Sequence, residues 1–394
     1  MTTNSTSDLQ GDRVVEAARS FYGLLSDSSE LIEKQRCLTP EVLSALRSAG
    51  LFRLCVPRRY GGLEASPVVM VEAVAEVARG DASAGWCVGI GATSGVLAAY
   101  LEEAEAKTIY GSDPDTVSGG VFAPRGQAVA EGDSYRVRGR WPFASGSGHC
   151  SWLMGGCVVM EDGRPALLPS GAPDSRLVLM PASDLNIHDT WSVMGLCGTG
   201  SHDMEADGVL APRSRAVSLF TDKPRVDSPL YKFPVFGCLA IGIASVTLGI
   251  ARRAIEELVE LAGGKKAAGS RKRLADRAVV QLQVAKAEAS QRSARAFLLD
   301  AVGAAYDQAQ RDGEIRVPER ALVRLACTNA VALCTSAVDS MYEAGGGTSI
   351  YASSPLQRCL RDVHTASQHM MVSSSTLELT GRAFLGVDAD WSQL

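Results

Sequence analysis

Between Ser118 and Arg215 the apolar residues recur with a period of two, and on either side they recur with the helical period of 3.6. This change of texture constrains the fold most, because a pattern written for helices cannot present one buried face as a strand. The middle stretch contains "AVAEGDSYRVRGRW", "SWLMGGCVVMEDGRPALLP" and "SRLVLMPASDLNI", with "EGD" and "EDG" as turn signals of antiparallel hairpins. Before it, "TPEVLSALRSAG" offers Thr39 as an N-cap, Pro40 at the first helical position and Gly50 just past the end. "SPVVMVEAVAEVARG" repeats that grammar with Ser66, Pro67 and Gly80. After it, "SRKRLADRAVVQLQVAKAEASQRSARAFLLDAV" keeps a helical period, and a further helix runs from Pro318 to Gly345. A last helix is expected from about Pro355 to Leu385. Helices, then strands, then helices, with no βαβ unit, read as an α+β chain whose small β domain sits between helical parts, the second of them a bundle.

The chain's 394 residues suffice for two or three domains with cores of their own. A net charge of −5 gives no general pull toward nucleic acid or acidic membranes, and neither is expected as a partner. The ten cysteines show no CxxC and no His/Cys zinc spacing, which suggests buried thiols in a reducing compartment and no metal site. The start, "MTTNSTSDLQGD", has neither a basic nor an apolar segment, so a cytoplasmic location is expected. The longest apolar run, Val235–Ile250, falls short of the roughly 20 residues of a membrane span and reads as a buried, closely packed helix.

Motif chemistry is sparse. "GIGATSG" (Gly89–Gly95) has the wrong spacing for a dinucleotide fingerprint and follows no strand, so close helix packing explains its glycines. "SHD" (Ser201–Asp203) holds triad residue types, but neighbours on an extended chain face opposite ways. In "RDVHTASQHMM" the histidines His364 and His369 are five apart, diverging by roughly 140° on a helix, so each stands alone.

Five phrases in order resemble the acyl-CoA dehydrogenase fold: "GLFRLCVPRRYGGLEASP", "ARGDASAGWCVG", "GRWPFASGSGHCSW", "DTWSVMGLCGTGSHDMEADGVLAP" and "SSPLQRCLRDVHTASQH". The likeness is nearest to that fold's flavin-dependent monooxygenases, the two-component aromatic hydroxylases and their amino-sugar N-oxidising and thiophene S-oxidising relatives. It implies an N-terminal α-helical domain (1–115), a central small β-barrel or sandwich (116–222) and a C-terminal four-helix bundle (223–394). In many of the dehydrogenases the catalytic glutamate lies about eight residues after this "RD", and an acyl-CoA α-proton does not leave without such a base. Here the count from Asp362 lands on His369 and Met370. The carboxylates Glu256 and Glu257, late in an earlier helix, leave a dehydrogenase with a relocated base as an alternative, beside an amino-sugar N-oxygenase and a non-catalytic binding protein.

A histidine at that place resembles the monooxygenases. The resemblance then implies reduced FAD or FMN from a separate flavin reductase, oxygen transfer through a C4a-hydroperoxyflavin, an aromatic or heteroaromatic substrate of phenol or indole type, and a homotetramer or homodimer. Within it, His369 is expected as the acid/base group, set against a satisfied core histidine, and His364 as a structural hydrogen-bonding residue. Ser145 is expected near flavin N5, with Phe143, Ala144 and Ser147 in the same segment and Ser147 as the alternative register; the bland reading is a strand-end serine serving a turn. His149 is left without a role. Arg271, Gln283, Gly346 and Gly347 are expected at the flavin phosphates, against a solvated basic helix start and an ordinary helix stop. Trp86 is expected to wall the substrate pocket, with Met370 nearby, against a core tryptophan.

Overall fold

A computed structural model describes residues 6–266 and 272–394. The N-terminal helices are α1 (Thr6–Ser20), α2 (Tyr22–Gln35), α3 (Pro40–Ser48), α4 (Pro67–Gly80), α5 (Ala82–Gly95) and the single turn α6 (Glu103–Ala106). The capping grammar is realised: Thr39 Oγ1 accepts from Val42 N at 3.4 Å and Ser66 Oγ from Val69 N at 3.3 Å. Gly50 has φ +70°, a left-handed stop that glycine adopts without strain.

The strands are β1 (Ser118–Glu131), β2 (Ser134–Ala144), β3 (Trp152–Glu161), β4 (Arg164–Pro165), β5 (Ser175–Pro181), β6 (Asn186–His188), β7 (His202–Pro212) and β8 (Ala216–Val217). They make one mixed sheet in the order β6-β7-β2-β1-β3-β5-β8, with β4 hairpinned on β3. Both expected hairpins form, at Gly132 between β1 and β2 and at Asp162–Gly163 between β3 and β4. The pairing of β1 with β3 is parallel, which the turn signals do not announce, because β2 itself supplies the return connection. At the centre Trp141 is fully buried and donates Nε1–H to Gly156 O at 2.7 Å. A Cβ at Gly126 would stand 2.2 Å from its ring, at Gly155 2.6 Å and at Gly139 3.0 Å. The indole lies on a bed that only glycines leave open.

The chain then returns to helices: α7 (Val235–Gly264), α8 (Ala278–Asp312), α9 (Val317–Gly345), α10 (Pro355–Ala366) and α11 (Ser375–Leu385). The expected single helix from Pro355 to Leu385 is broken. It stops at Ala366, and His369 caps one 3-10 turn, Met370–Val372. The polar side chains compete with the helical ladder there, since His369 Nδ1 accepts from Met371 N at 3.2 Å and Ser373 Oγ donates to Met370 O at 3.0 Å.

Three stretches, Ala82–Ala99, Val235–Gly264 and Val317–Thr348, are long and apolar enough to cross a membrane by length and composition. The short-run expectation for Val235–Ile250 is corrected on that point, because the helix continues beyond it. Within the protein these windows are 94%, 89% and 61% buried. One hydrophobic core joins α1–α5 to α7–α10, so the first and last helical regions pack directly on each other although the sheet separates them along the chain. A second core fills the sheet, and a third, around Tyr110, Met154 and Leu179, fastens sheet to helices.

Helix crossings are close. Gly89 and Gly242 meet backbone to backbone, with a Cβ at Gly89 3.7 Å from Gly242 Cα. At Gly249 a Cβ would stand 2.3 Å from Ala75 O and 2.7 Å from Ala78 Cβ, whereas Gly263 in the same helix faces open space. Gly249→Ala is therefore expected to destabilise the chain by about 1–3 kcal/mol in denaturant unfolding. Gly263→Ala should instead stabilise it by about 0.5–1 kcal/mol.

Candidate active site

Four segments converge on Trp86. Asp81 caps the start of α5, accepting from Ala84 N at 2.8 Å, and that helix carries Trp86 to the inner end of the sheet. Trp86 Nε1 donates to Ser145 Oγ at 3.0 Å. Ser145 Oγ lies 2.7 Å from Ser201 Oγ, which lies 2.7 Å from Thr199 Oγ1, and Thr199 Oγ1 donates to Leu196 O at 2.8 Å. The three hydroxyls are 7%, 4% and 2% exposed, so water does not compete for them.

The polarity of this chain follows from counting protons. An indole N–H only donates, a carbonyl only accepts, and each hydroxyl owns one proton. The arrangement that forms all four bonds runs from Trp86 through Ser145, Ser201 and Thr199 to Leu196 O. Ser145 therefore receives one proton, gives its own to Ser201, and keeps a lone pair for a further donor.

The far end is anchored. Leu196 has φ +52°, and its N–H donates to Asp362 Oδ1 on α10 at 2.6 Å while its carbonyl also accepts from Trp191 Nε1 at 3.1 Å. Burial pushes the Asp362 carboxyl up to about 7, opposed by the Leu196 hydrogen bond. In the sequence Asp362 is marked only by the "RD" pair, and "SHD" is no triad. The member of that tripeptide that joins the hydrogen-bond chain is Ser201, directly before β7, whose first residue His202 pairs with Ala144.

His369 supplies the fourth segment, its ring 5.8 Å from that of Trp86 and tilted by 58°. Burial, with the Arg324 guanidinium as the lesser cause, holds its pKa down to about 4. The ring is neutral near pH 7. Because Nδ1 accepts from Met371 N, the proton sits on Nε2. His369 thus presents a neutral N–H donor.

The other expected residues divide. Phe143, at φ +67° and 66% exposed, meets Trp191 edge-on at 6.2 Å, and Met370 beside His369 is 67% exposed. Ala144 is buried in the sheet, paired with His202. Ser147 is turned away, donating to Gly200 O at 3.3 Å, so the hydroxyl joined to Trp86 is that of Ser145. His149 packs on Phe52 with ring centroids 5.4 Å apart, and burial and Arg47 lower its pKa to about 4. His364 pairs with Asp339 at 2.7 Å. Gln283, half-buried on α8, and Gly346 and Gly347, exposed just after α9, have no hydrogen bond to Trp86, Ser145 or His369. Arg271 lies outside the described residues.

No carboxylate among the described residues is hydrogen-bonded to Trp86, Ser145 or His369. Glu256 is paired with Arg79 and Arg252, and Glu257 with Arg253, which leaves neither as a relocated base. Among the described residues no three His, Cys, Asp or Glu side chains are placed to hold a metal. A flavin fits what is present: exposed Phe143 and Met370 offer apolar faces, Trp86 a wall, and Ser145 a lone pair for a ring N–H.

Comparison with known proteins matches residues 14–108 to the acyl-CoA dehydrogenase N-terminal domain and residues 241–374 to the acyl-CoA dehydrogenase C-terminal domain. The chain is 34% identical to indole-3-acetate monooxygenase of Pseudomonas putida, covering 90% of this chain and 89% of that one. It is 30% identical to the oxygenase component of the FADH2-dependent resorcinol hydroxylase of Rhizobium sp. strain MTP-10005, covering 95% of each. The structure of XiaF from Streptomyces sp. in complex with FADH2 and glycerol superposes with a TM-score of 0.88 at 28% identity over 97% of both chains.

Two outcomes follow from the site itself. Asp362→Ala strands the Leu196 N–H in a buried position and should cost about 1–3 kcal/mol in unfolding, whereas Asp362→Asn keeps an acceptor and should cost less. His369, held at about 4 when folded and near 6.5 when unfolded, binds its proton preferentially in the unfolded chain, so its contribution is intact above 6.5 and is lost as pH falls toward 4. Between those pH values the native chain should lose up to about 3 kcal/mol more than His369→Asn, read by thermal melts at stepped pH.

Proposed function

Because this chain belongs to the acyl-CoA dehydrogenase family, and within it to the flavin-dependent monooxygenases, we propose that it oxygenates a phenol- or indole-type ring held between Trp86 and His369. It is the oxygenase component of a two-component system, using reduced FAD or FMN from a separate flavin reductase. Reduced flavin, when bound, supplies the activated oxygen. The dehydrogenase and the amino-sugar N-oxygenase are not favoured, since the relatives are named for aromatic substrates and, among the described residues, Glu256 and Glu257 are engaged by arginines.

The observation that carries this reading is the oriented hydroxyl chain ending on Ser145 opposite a neutral imidazole. Ser145 Oγ, its proton committed to Ser201, would accept a hydrogen bond from a ring N–H of the flavin. Such a bond would keep the flavin N–H in place, and the enclosure of all three hydroxyls excludes water from them. His369 Nε2–H donates to the oxygen of a phenol or the π-face of an indole, orienting the ring. With a pKa near 4 it is a poor base for a thioester α-proton but a steady hydrogen-bond donor across neutral pH. We propose also that copies of the chain associate through α11 and the loop after α9, where Phe384, Leu385, Ile350 and Tyr351 are 54%, 80%, 68% and 65% exposed. A homotetramer or homodimer would cover them.

The test supplies the purified chain with separately reduced FAD or FMN, oxygen and a panel of phenols and indoles, and measures product and peroxide together. Wild type should form hydroxylated product with little peroxide. Ser145→Ala should lower the product-to-peroxide ratio by roughly tenfold, the equivalent of one hydrogen bond. His369→Leu should cut product formation by about 10²-fold. Oxygenation of no aromatic compound, or bleaching of bound flavin by an acyl-CoA, would remove the proposal.

A further inference from the structure

The helix α9 carries two arginines that nothing in the mechanism uses. Arg324 is 3% exposed, yet no carboxylate among the described residues pairs with it. Its Nη1 donates only to Phe236 O at 3.3 Å and to Met371 Sδ at 3.7 Å, and its enclosed Nε has no partner. Arg320, one turn earlier and half-buried, likewise has an enclosed Nε without a partner, and burial alone lowers its pKa. Residues four apart share a helix face, and two like charges there repel. Burying a guanidinium without a counter-ion costs several kcal/mol, so a pair of them in one place marks where an anion is to be received.

Their position says which anion. Arg324 touches Met371, two residues beyond His369, and its charge is felt by that imidazole. Phe236, whose carbonyl it holds, begins α7 and packs on Phe122 of the sheet at 6.1 Å. The guanidinium therefore lies beside the turn that His369 caps. We propose that Arg324, assisted by Arg320, seats the carboxylate of an aromatic acid, so that the substrate class of this enzyme is an anionic arene whose ring extends from the arginines to His369 and Trp86. Two parallel N–H···O bonds to a planar carboxylate are the match a guanidinium fork makes best. The proposal rests on the monooxygenase reading for the ring's fate, but the seat itself is a matter of binding.

Calorimetric titration of the full chain, with and without FMN, tests it using two acid and amide pairs, phenylacetate with phenylacetamide and indole-3-acetate with indole-3-acetamide. Wild type should bind at least one acid about tenfold or more tightly than its amide, as a charged pair of hydrogen bonds gives. Arg324→Gln should abolish that preference while leaving amide affinity unchanged, and the less buried Arg320→Gln should reduce it even where the first variant folds poorly. Equal binding of acid and amide by wild type overturns the proposal. So does equal weakening of both ligands in the variants, a loss of FMN affinity with the acid preference intact (which assigns the arginines to the cofactor phosphate), or a change in oligomeric mass alone. Since these titrations need no oxygen, failure of the seat is distinct from failure of oxygenation.

Discussion

The buried hydrogen bond from Leu196 N–H to Asp362 holds the site's pieces in one register. It fastens the loop between β6 and β7 to α10, and that loop carries Thr199 and Ser201 to Ser145. Leu196 is left-handed at φ +52°, a conformation a leucine keeps only when its surroundings impose it. Here the amide is held by the carboxylate and the carbonyl by both Trp191 Nε1 and Thr199 Oγ1, so the peptide units on either side cannot rotate. The orientation of the Ser145 hydroxyl is thus set by a side chain on a different domain.

Much of this was legible in the sequence, for reasons that differ by element. Thr39–Pro40 and Ser66–Pro67 announced helix starts because capping is local: the side chain and the amide it serves are three residues apart. The switch from period 3.6 to period 2 located the sheet, since burial of one face imposes it. The parallel β1–β3 ladder stayed hidden, because register between distant strands has no local signal. The break after Ala366 stayed hidden too. His369 reads as one more residue on a helix until its ring is seen to accept from Met371 N.

The site was legible in part for the same reason. Trp86, Ser145 and His369 stood out through phrases that resemble a family, and the fold brings them within one cluster. The connectors Ser201, Thr199 and Asp362 did not stand out. Their work depends on contacts spanning 56 and 166 residues of chain, and a serine or an aspartate in isolation does not reveal its partner. Gln283, Gly346 and Gly347 have no hydrogen bond to Trp86, Ser145 or His369, and in sequence a helix start and a helix stop read the same whether or not a ligand is near.

The tryptophan bed at the heart of the sheet has an evolutionary consequence. Trp141 occupies the volume that side chains at 126, 139 and 155 would otherwise fill, and those three positions lie on β1, β2 and β3. None of the four can drift by itself: a larger residue at any one collides with the indole, while a smaller ring leaves a void beside three bare backbones. Descendants of this sequence should therefore alter the four sites jointly or preserve them all, a covarying quartet that can be sought among diverging homologues without reference to catalysis.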